Sequence, residues 1–219
     1  MKKILLIFCV LFLLTSCEIQ YDGETKIVVT GKIIDQNGIP IPEKNIDITI
    51  YSDGIYTPSD LISYGKSDQN GNFILAFPAP KSDNPIYISI NNIINQTSEF
   101  QGKEIIAKKI NFENYKLDLD KITLYKNESI TTLKLILNNT TTNKQLKDIK
   151  IEGKQPNSYI NLNPLPNNSD YLETYYSVIK NQNVILKYTV VDYSNAATPK
   201  TYNISIPINN DAVTYTITY

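Results

Sequence analysis

Three groups of residues in this sequence have the types and spacing for chemistry. The first is Cys17, which closes the stretch Leu13-Leu14-Thr15-Ser16-Cys17. The second is Asp68-x-Asn70-x-Asn72, whose side-chain oxygens alternate along the chain as those of a calcium loop do. The third is the carboxylates, because two Asp or Glu side chains in one cleft suffice to cleave a glycosidic bond. The calcium pattern breaks down further on: a loop of the EF-hand kind needs Gly at its sixth position and an acid at its twelfth, where Phe73 and Ala79 stand. Asn70-Gly71 is preferred hairpin-turn chemistry and accounts for the same residues. The acids stand mostly in turns or alternate with apolar strand residues, and no spacing selects a pair. Tyr171, Tyr175, Tyr176, Tyr188, Tyr193 and Tyr202 offer flat binding area at low entropic cost, although strand and core positions account for most of them. Sugar platforms more often use tryptophan, and the chain has none.

Composition removes other chemistries. Histidine is absent, so Ser-His-Asp and Cys-His nucleophiles, helical His-Glu-x-x-His zinc sites and the usual pH switch are excluded. No Gly-rich phosphate loop follows a strand. Cys9 and Cys17 are the two cysteines, which gives no disulfide framework. All 21 basic residues are lysines, and beyond Lys2 and Lys3 the chain carries 19 of them against 22 acids without any basic run. Nucleic acid is therefore not the expected partner. The expectation is a protein that is not an enzyme and needs neither cofactor nor metal.

The elements that must position these residues begin with a signal. Lys2-Lys3 precede an apolar run from Ile4 to Leu14, too short to cross a bilayer as a permanent helix, so residues 1–16 read as a secretory signal peptide. Residues 17–25 are polar and read as a linker. From Lys26 the period is two: Ile27, Val29 and Ile33 share one side. Asp35 to Pro40 supplies turn chemistry; Ile46, Ile48 and Ile50 alternate with polar residues; Asn70-Gly71 forms a second hairpin turn leading into Phe73, Leu75 and Phe77. Ile86, Ile88 and Ile90 make another row. Between Leu119 and Ile122 the apolar phase slips, as at a β-bulge. Beyond Asn127 alternation continues through Leu133 to Leu137, Ile149 and Ile151, Leu172 to Val178, Val184 to Val190, Ile204 to Ile208 and Val213 to Tyr219, with polar breaks at residues 138–144 and 156–170. The expected fold class is all-β: two consecutive β-sandwich domains, over 26–126 and 127–219, with an Ig-like second domain.

Two resemblances add to this reading. Leu13 to Cys17 resembles the lipobox of bacterial lipoproteins, which implies that the Cys17 sulfur receives a diacylglyceryl group and that cleavage leaves Cys17 as a lipidated, palmitate-bearing first residue. Two or three acyl chains, at roughly 0.8 kcal/mol per buried CH2, hold a protein on a membrane. An ordinary secretory signal that happens to contain a cysteine is the alternative. The order Val-x-Gly-x-Ile-x-Asp-x-x-Gly-x-Pro (Val29 to Pro40), then Asp-x-x-Gly-x-Phe (Asp68 to Phe73), Pro-x-Pro and a strand resembles the carboxypeptidase regulatory-like domain, a transthyretin-like β-sandwich. Leu117 to Tyr125 resembles its closing strand, with Asp120 where the family usually has Gly. That family accompanies zinc peptidases, whose His ligands this chain lacks. Lys26 or Lys32 with Asp118 or Asp120 could be drawn as the amide staple of some surface sandwiches, but the period of two points both lysines outward.

These readings lead to an expected non-enzymatic, membrane-anchored envelope lipoprotein, a structural or protein-interaction module at the outer membrane. Its expected partners are the membrane, through the lipid on Cys17, and envelope proteins, with a TonB-dependent receptor as one candidate. The alternative is a glycan-binding accessory lipoprotein of a nutrient-uptake system.

Overall fold

A computed structural model describes residues 19–52, 59–92, 98–164, 172–194, 196–209 and 211–219. The signal peptide, Cys17 and Tyr171 lie outside the described residues. Strands dominate: β1 (Tyr21–Ile34), β2 (Asn45–Tyr51), β3 (Ser59–Lys66), β4 (Asn72–Pro80), β5 (Ile86–Ile90), β6 (Lys103–Ala107), β7 (Lys116–Thr123), β8 (Ile130–Asn138), β9 (Lys144–Glu152), β10 (Tyr159–Asn161), β11 (Tyr175–Ile179), β12 (Gln182–Asp192), β13 (Thr198–Ile208) and β14 (Val213–Thr218). The expected all-β class of two sandwiches is the one observed.

The first unit comprises the described residues up to Asn92, with Gly102–Thr123 and Tyr159–Asn163. Its sheets run β4-β1-β7 and β10-β6-β5-β2-β3. Alternation builds the core as expected: Ile46, Ile48 and Ile50 on β2 and Ile86, Ile88 and Ile90 on β5 are fully buried, as are Val29 and Ile33 on β1. The expected bulge is present. Thr30 faces Asp118 and Lys32 faces Lys121, so Leu119 and Asp120 together oppose Gly31, and Asp120 takes a φ of 49° where glycine would sit without strain.

Three features depart from the sequence reading. The Asn-Gly turns are not hairpins, because β1 pairs with β4 and β7 while β2 and β3 belong to the other sheet. Each turn instead carries the chain from one sheet to the other. Asp68 accepts hydrogen bonds from the Asn70 and Asn72 backbone N–H groups at 2.9 and 2.8 Å, and Asp35 does the same for Asn37 and Ile39. Local chemistry set the turns, but burial of both sheets set the pairing. Second, β1 starts at Tyr21, inside the expected linker, because Tyr21 faces Pro80 and its hydroxyl donates to Asp60 at 2.7 Å. Third, β10 falls in an expected polar break. It adds in parallel to β6, and Leu162 N–H donates to the Ile106 carbonyl at 2.9 Å.

The second unit comprises the described part of Ile93–Gln101, Leu124–Ser158 and the described part of Pro164–Tyr219. Its sheets run β11-β8-β14 and β13-β12-β9. Leu133 and Leu135 on β8, Val178 on β11 and Ile217 on β14 share one core with Val184, Leu186 and Val190 on β12 and with Ile206 and Ile208 on β13. Both sheets therefore face one apolar interior, which makes the unit a sandwich.

Candidate functional site

A concavity of the first unit arises from a defect in its sheet. Tyr21 opposes Pro80 and Lys26 opposes Pro78, so residues 22–25 have no partners on β4. Prolines 78 and 80 have no N–H to give the ladder, so little pairing is lost where the chain loops out. Within the loop the Asp22 carboxylate accepts the Thr25 hydroxyl at 2.6 Å and the Glu24 N–H at 3.0 Å. These bonds, led by Thr25, hold its pKa below the usual carboxylate value.

Across from this loop a single 3-10 turn, Lys109–Asn111, leads into Phe112, whose ring meets Phe77 edge to face at 6.4 Å. Glu113 and Lys116 then exchange both backbone hydrogen bonds at 2.9 Å, and the two residues between them, Asn114 and Tyr115, have φ of 49° and 67°. Positive φ at both central positions is the demand of a type I′ turn, which Asn-Gly meets best. Here tyrosine stands in the glycine position. The turn is tied down because Val28 N–H donates to the Tyr115 carbonyl at 2.9 Å.

Asp22, Thr25, Ile27, Ala79, Lys109, Phe112, Asn114 and Tyr115 line a cleft of about 430 Å³, within the range of small-molecule sites. Ile27 and Ala79 form a buried apolar floor, while the Tyr115 side is 65% exposed. Lys109 Nζ donates to the Lys81 carbonyl at 2.9 Å. The lining thus carries one fixed anion and one fixed cation. A single carboxylate among the lining residues does not supply the two that glycosidase chemistry needs.

The sequence-singled residues are distributed elsewhere. Tyr188 is buried and stacked on Tyr202, with centroids 4.9 Å apart. Tyr176 donates to the Glu173 carbonyl at 3.0 Å, and burial pushes its pKa up to about 12. Tyr175 is exposed on β11, and Tyr193 donates to Gln145 at 3.2 Å. They form no single platform. Lys26, Asp118 and Asp120 are exposed. Asp118 is bound to Lys116 at 3.1 Å, which, with the Asp120 N–H, lowers its pKa. Among the described residues no group of three or more Asp, Glu or Cys comes together to hold a metal ion.

One lysine departs from the outward placement expected of Lys26 and Lys32. Lys103 is buried on the inner row of β6 with Ile105 and Ala107, and desolvation lowers its pKa. The same period of two that located other inward rows would have placed it there. It does not line the cleft. The cleft itself left little trace in sequence, because its lining comes from three separate segments; the one local signal is Asn-Tyr where Asn-Gly would be easier.

No family description and no curated protein sequence matches the chain. Among solved structures, a 9R-lipoxygenase from Cyanothece PCC8801 aligns over 54% of this chain and 20% of its own at 20% identity and a TM-score of 0.29. A 3-chlorocatechol 1,2-dioxygenase from Rhodococcus opacus 1CP aligns over 50% of this chain and 61% of its own at 14% identity and 0.35. The chain spans less than two thirds of either enzyme. The shaft pilin SpaA from Lactobacillus rhamnosus GG aligns over 89% and 98% at 8% identity and 0.33. Likenesses at these values assign neither a family nor an activity.

Proposed function

We propose that this chain is a non-enzymatic lipoprotein of the cell envelope, held at the outer membrane by lipid on Cys17, and that its second unit serves protein interaction. The signal, the small residues before Cys17 and the lipobox resemblance support the anchor. One structural observation supports the interaction role, and it lies at the sheet edges. β9 carries Lys144, Lys147, Asp148, Lys150 and Glu152, and β13 carries Pro199, Lys200 and Pro207, the charges and prolines that keep an edge from adding strands. β14, Val-Thr-Tyr-Thr-Ile-Thr, has neither. It pairs in parallel with β8 on one side only among the described residues. An unguarded six-residue edge is suited to receive an extended segment of another envelope protein by strand addition.

A photo-crosslinking residue at Thr216, exposed on β14, is expected to capture a discrete envelope partner in cells, whereas one at Lys147 on the guarded edge is not. Thr214→Pro, at an exposed residue whose N–H faces away from β8 and so toward the free edge, should abolish the product. Equal capture at both positions would refute the edge as the interface. Anchoring is checked separately. Cys17→Ser should leave the chain uncleaved or released, and a mutant of mature size in the washed membrane would refute the lipid anchor.

A further inference from the structure

We infer that the Asp22–Tyr115 cleft of the first unit is a binding site for a neutral saccharide. The inference goes beyond the interaction role proposed for the second unit and does not depend on it. Its first ground is the strain at Tyr115. A bulky side chain at φ 67° in the glycine position of a type I′ turn is strained. If the ring were packed inside, its burial would offset that strain, but Tyr115 is 65% exposed. A strained, exposed aromatic residue beside a cleft is explained by what the ring meets when the cleft is filled.

The second ground is the chemistry of the lining. The Asp22 carboxylate is fixed by two hydrogen bonds, one on each oxygen, and each oxygen keeps a lone pair for an outside donor. Asn114 offers both donors and an acceptor on the same rim, and Lys109 Nζ keeps protons beyond the one given to Lys81. The lining itself carries one anion and one cation and so has no net charge of its own. Hydroxyls, which both donate and accept, satisfy all three groups together. Ile27, Ala79 and the Phe112 and Tyr115 rings supply the apolar surface that the C–H face of a sugar ring requires. A neutral polyhydroxyl ring matches this combination.

The test uses the full chain in detergent, titrated calorimetrically with maltohexaose, cellohexaose, laminarihexaose, xylohexaose and mannohexaose. At least one should bind. Tyr115→Gly should weaken that binding at least tenfold while the chain melts at the same or a higher temperature, since glycine relieves the turn; Tyr115→Phe should keep most of the affinity. Asp22→Asn provides an independent variant and should also weaken binding tenfold. Failure of all five sugars to bind overturns the inference, as does binding that both Tyr115→Gly and Asp22→Asn leave unchanged. A Tyr115→Gly chain that melts lower overturns it too, because the tyrosine would then be a packing residue. None of these outcomes touches crosslinking at Thr216 or the Cys17 anchor, so the readings fail separately.

Discussion

Gly38 and Gly71 occupy equivalent Asn-Gly turns of the first unit at almost the same φ, 83° and 77°, yet replacing each by alanine should have very different consequences. At Gly38 a new Cβ would meet nothing within 4 Å. The cost is the left-handed backbone alone, roughly 1–2 kcal/mol, partly offset by about 0.5 kcal/mol from a less flexible unfolded chain, leaving about 1 kcal/mol. At Gly71 the same Cβ would fall within 3 Å of the Ile33 carbonyl oxygen and at 3.3 Å from Ile41 N. That carbonyl cannot retreat freely. It accepts from Ile41 N–H at 3.0 Å, while Ile33 N–H donates to the Gly71 carbonyl at 2.8 Å. Moving the segments apart weakens both bonds, at about 1 kcal/mol each. Gly71→Ala should therefore cost about 3 kcal/mol, some 2 more than Gly38→Ala. With a urea dependence of about 2 kcal/mol per M, the midpoints of the first unit should differ by about 1 M. Tryptophan is absent, so tyrosine fluorescence and circular dichroism are the probes. Equal midpoints would refute the reasoning, because they would mean that the close approach of the two turns carries no energy.

Two further predictions address the units. Tyr176 has its pKa raised to about 12, first by burial and then by Glu173, so the protonated form is the one the fold favours. Its contribution is complete below the unfolded value near 10 and is lost as pH rises from there through about 12. Tyr176→Phe should flatten the fall in stability of the second unit over that window, and an unchanged alkaline profile would remove Tyr176 as its cause. Ile160→Pro should remove the pairing of β10 with β6 and destabilise the first unit by about 1 kcal/mol for each ladder bond lost, raising amide exchange at Ile88 and Ile105 while Leu186 keeps its protection. If exchange at Ile88 and Ile105 is unmoved, a sandwich over 26–126 is self-sufficient and β10 is dispensable.

What could be read from the sequence was local. The inward rows at Ile46 to Ile50, Ile86 to Ile90 and Val184 to Val190 follow from a side-chain period of two, which one residue of slippage would invert. The bulge was visible because Leu119 and Ile122 cannot share a face at that spacing without an extra residue. Turn positions were visible because Asp-x-Asn-Gly satisfies its own backbone. Pairing was not, because Asn-Gly dictates that a chain turns and leaves open which sheet receives the next strand. β10 shows the same limit: Tyr159 to Asn161 is too short to show a period, and its partner Glu104 to Ile106 lies some fifty residues away.

The cleft was illegible for a related reason and visible for a different one. Its floor and rim come from the β1 loop, the end of β4 and the segment from Lys109 to Tyr115, which only the folded sheet brings together. Two local rules are nevertheless broken at its margin: β1 leaves its ladder opposite Pro78 and Pro80, and tyrosine takes a glycine position. The bulge near Asp120 also places a non-glycine residue at positive φ, but aspartate tolerates that conformation, and the Asp118 carboxylate accepts its N–H at 3.1 Å. Tyr115 has no such compensation. Sequences specify folds through agreement of local preferences, so a residue that opposes its own turn without being buried is where a function unrelated to folding is to be sought.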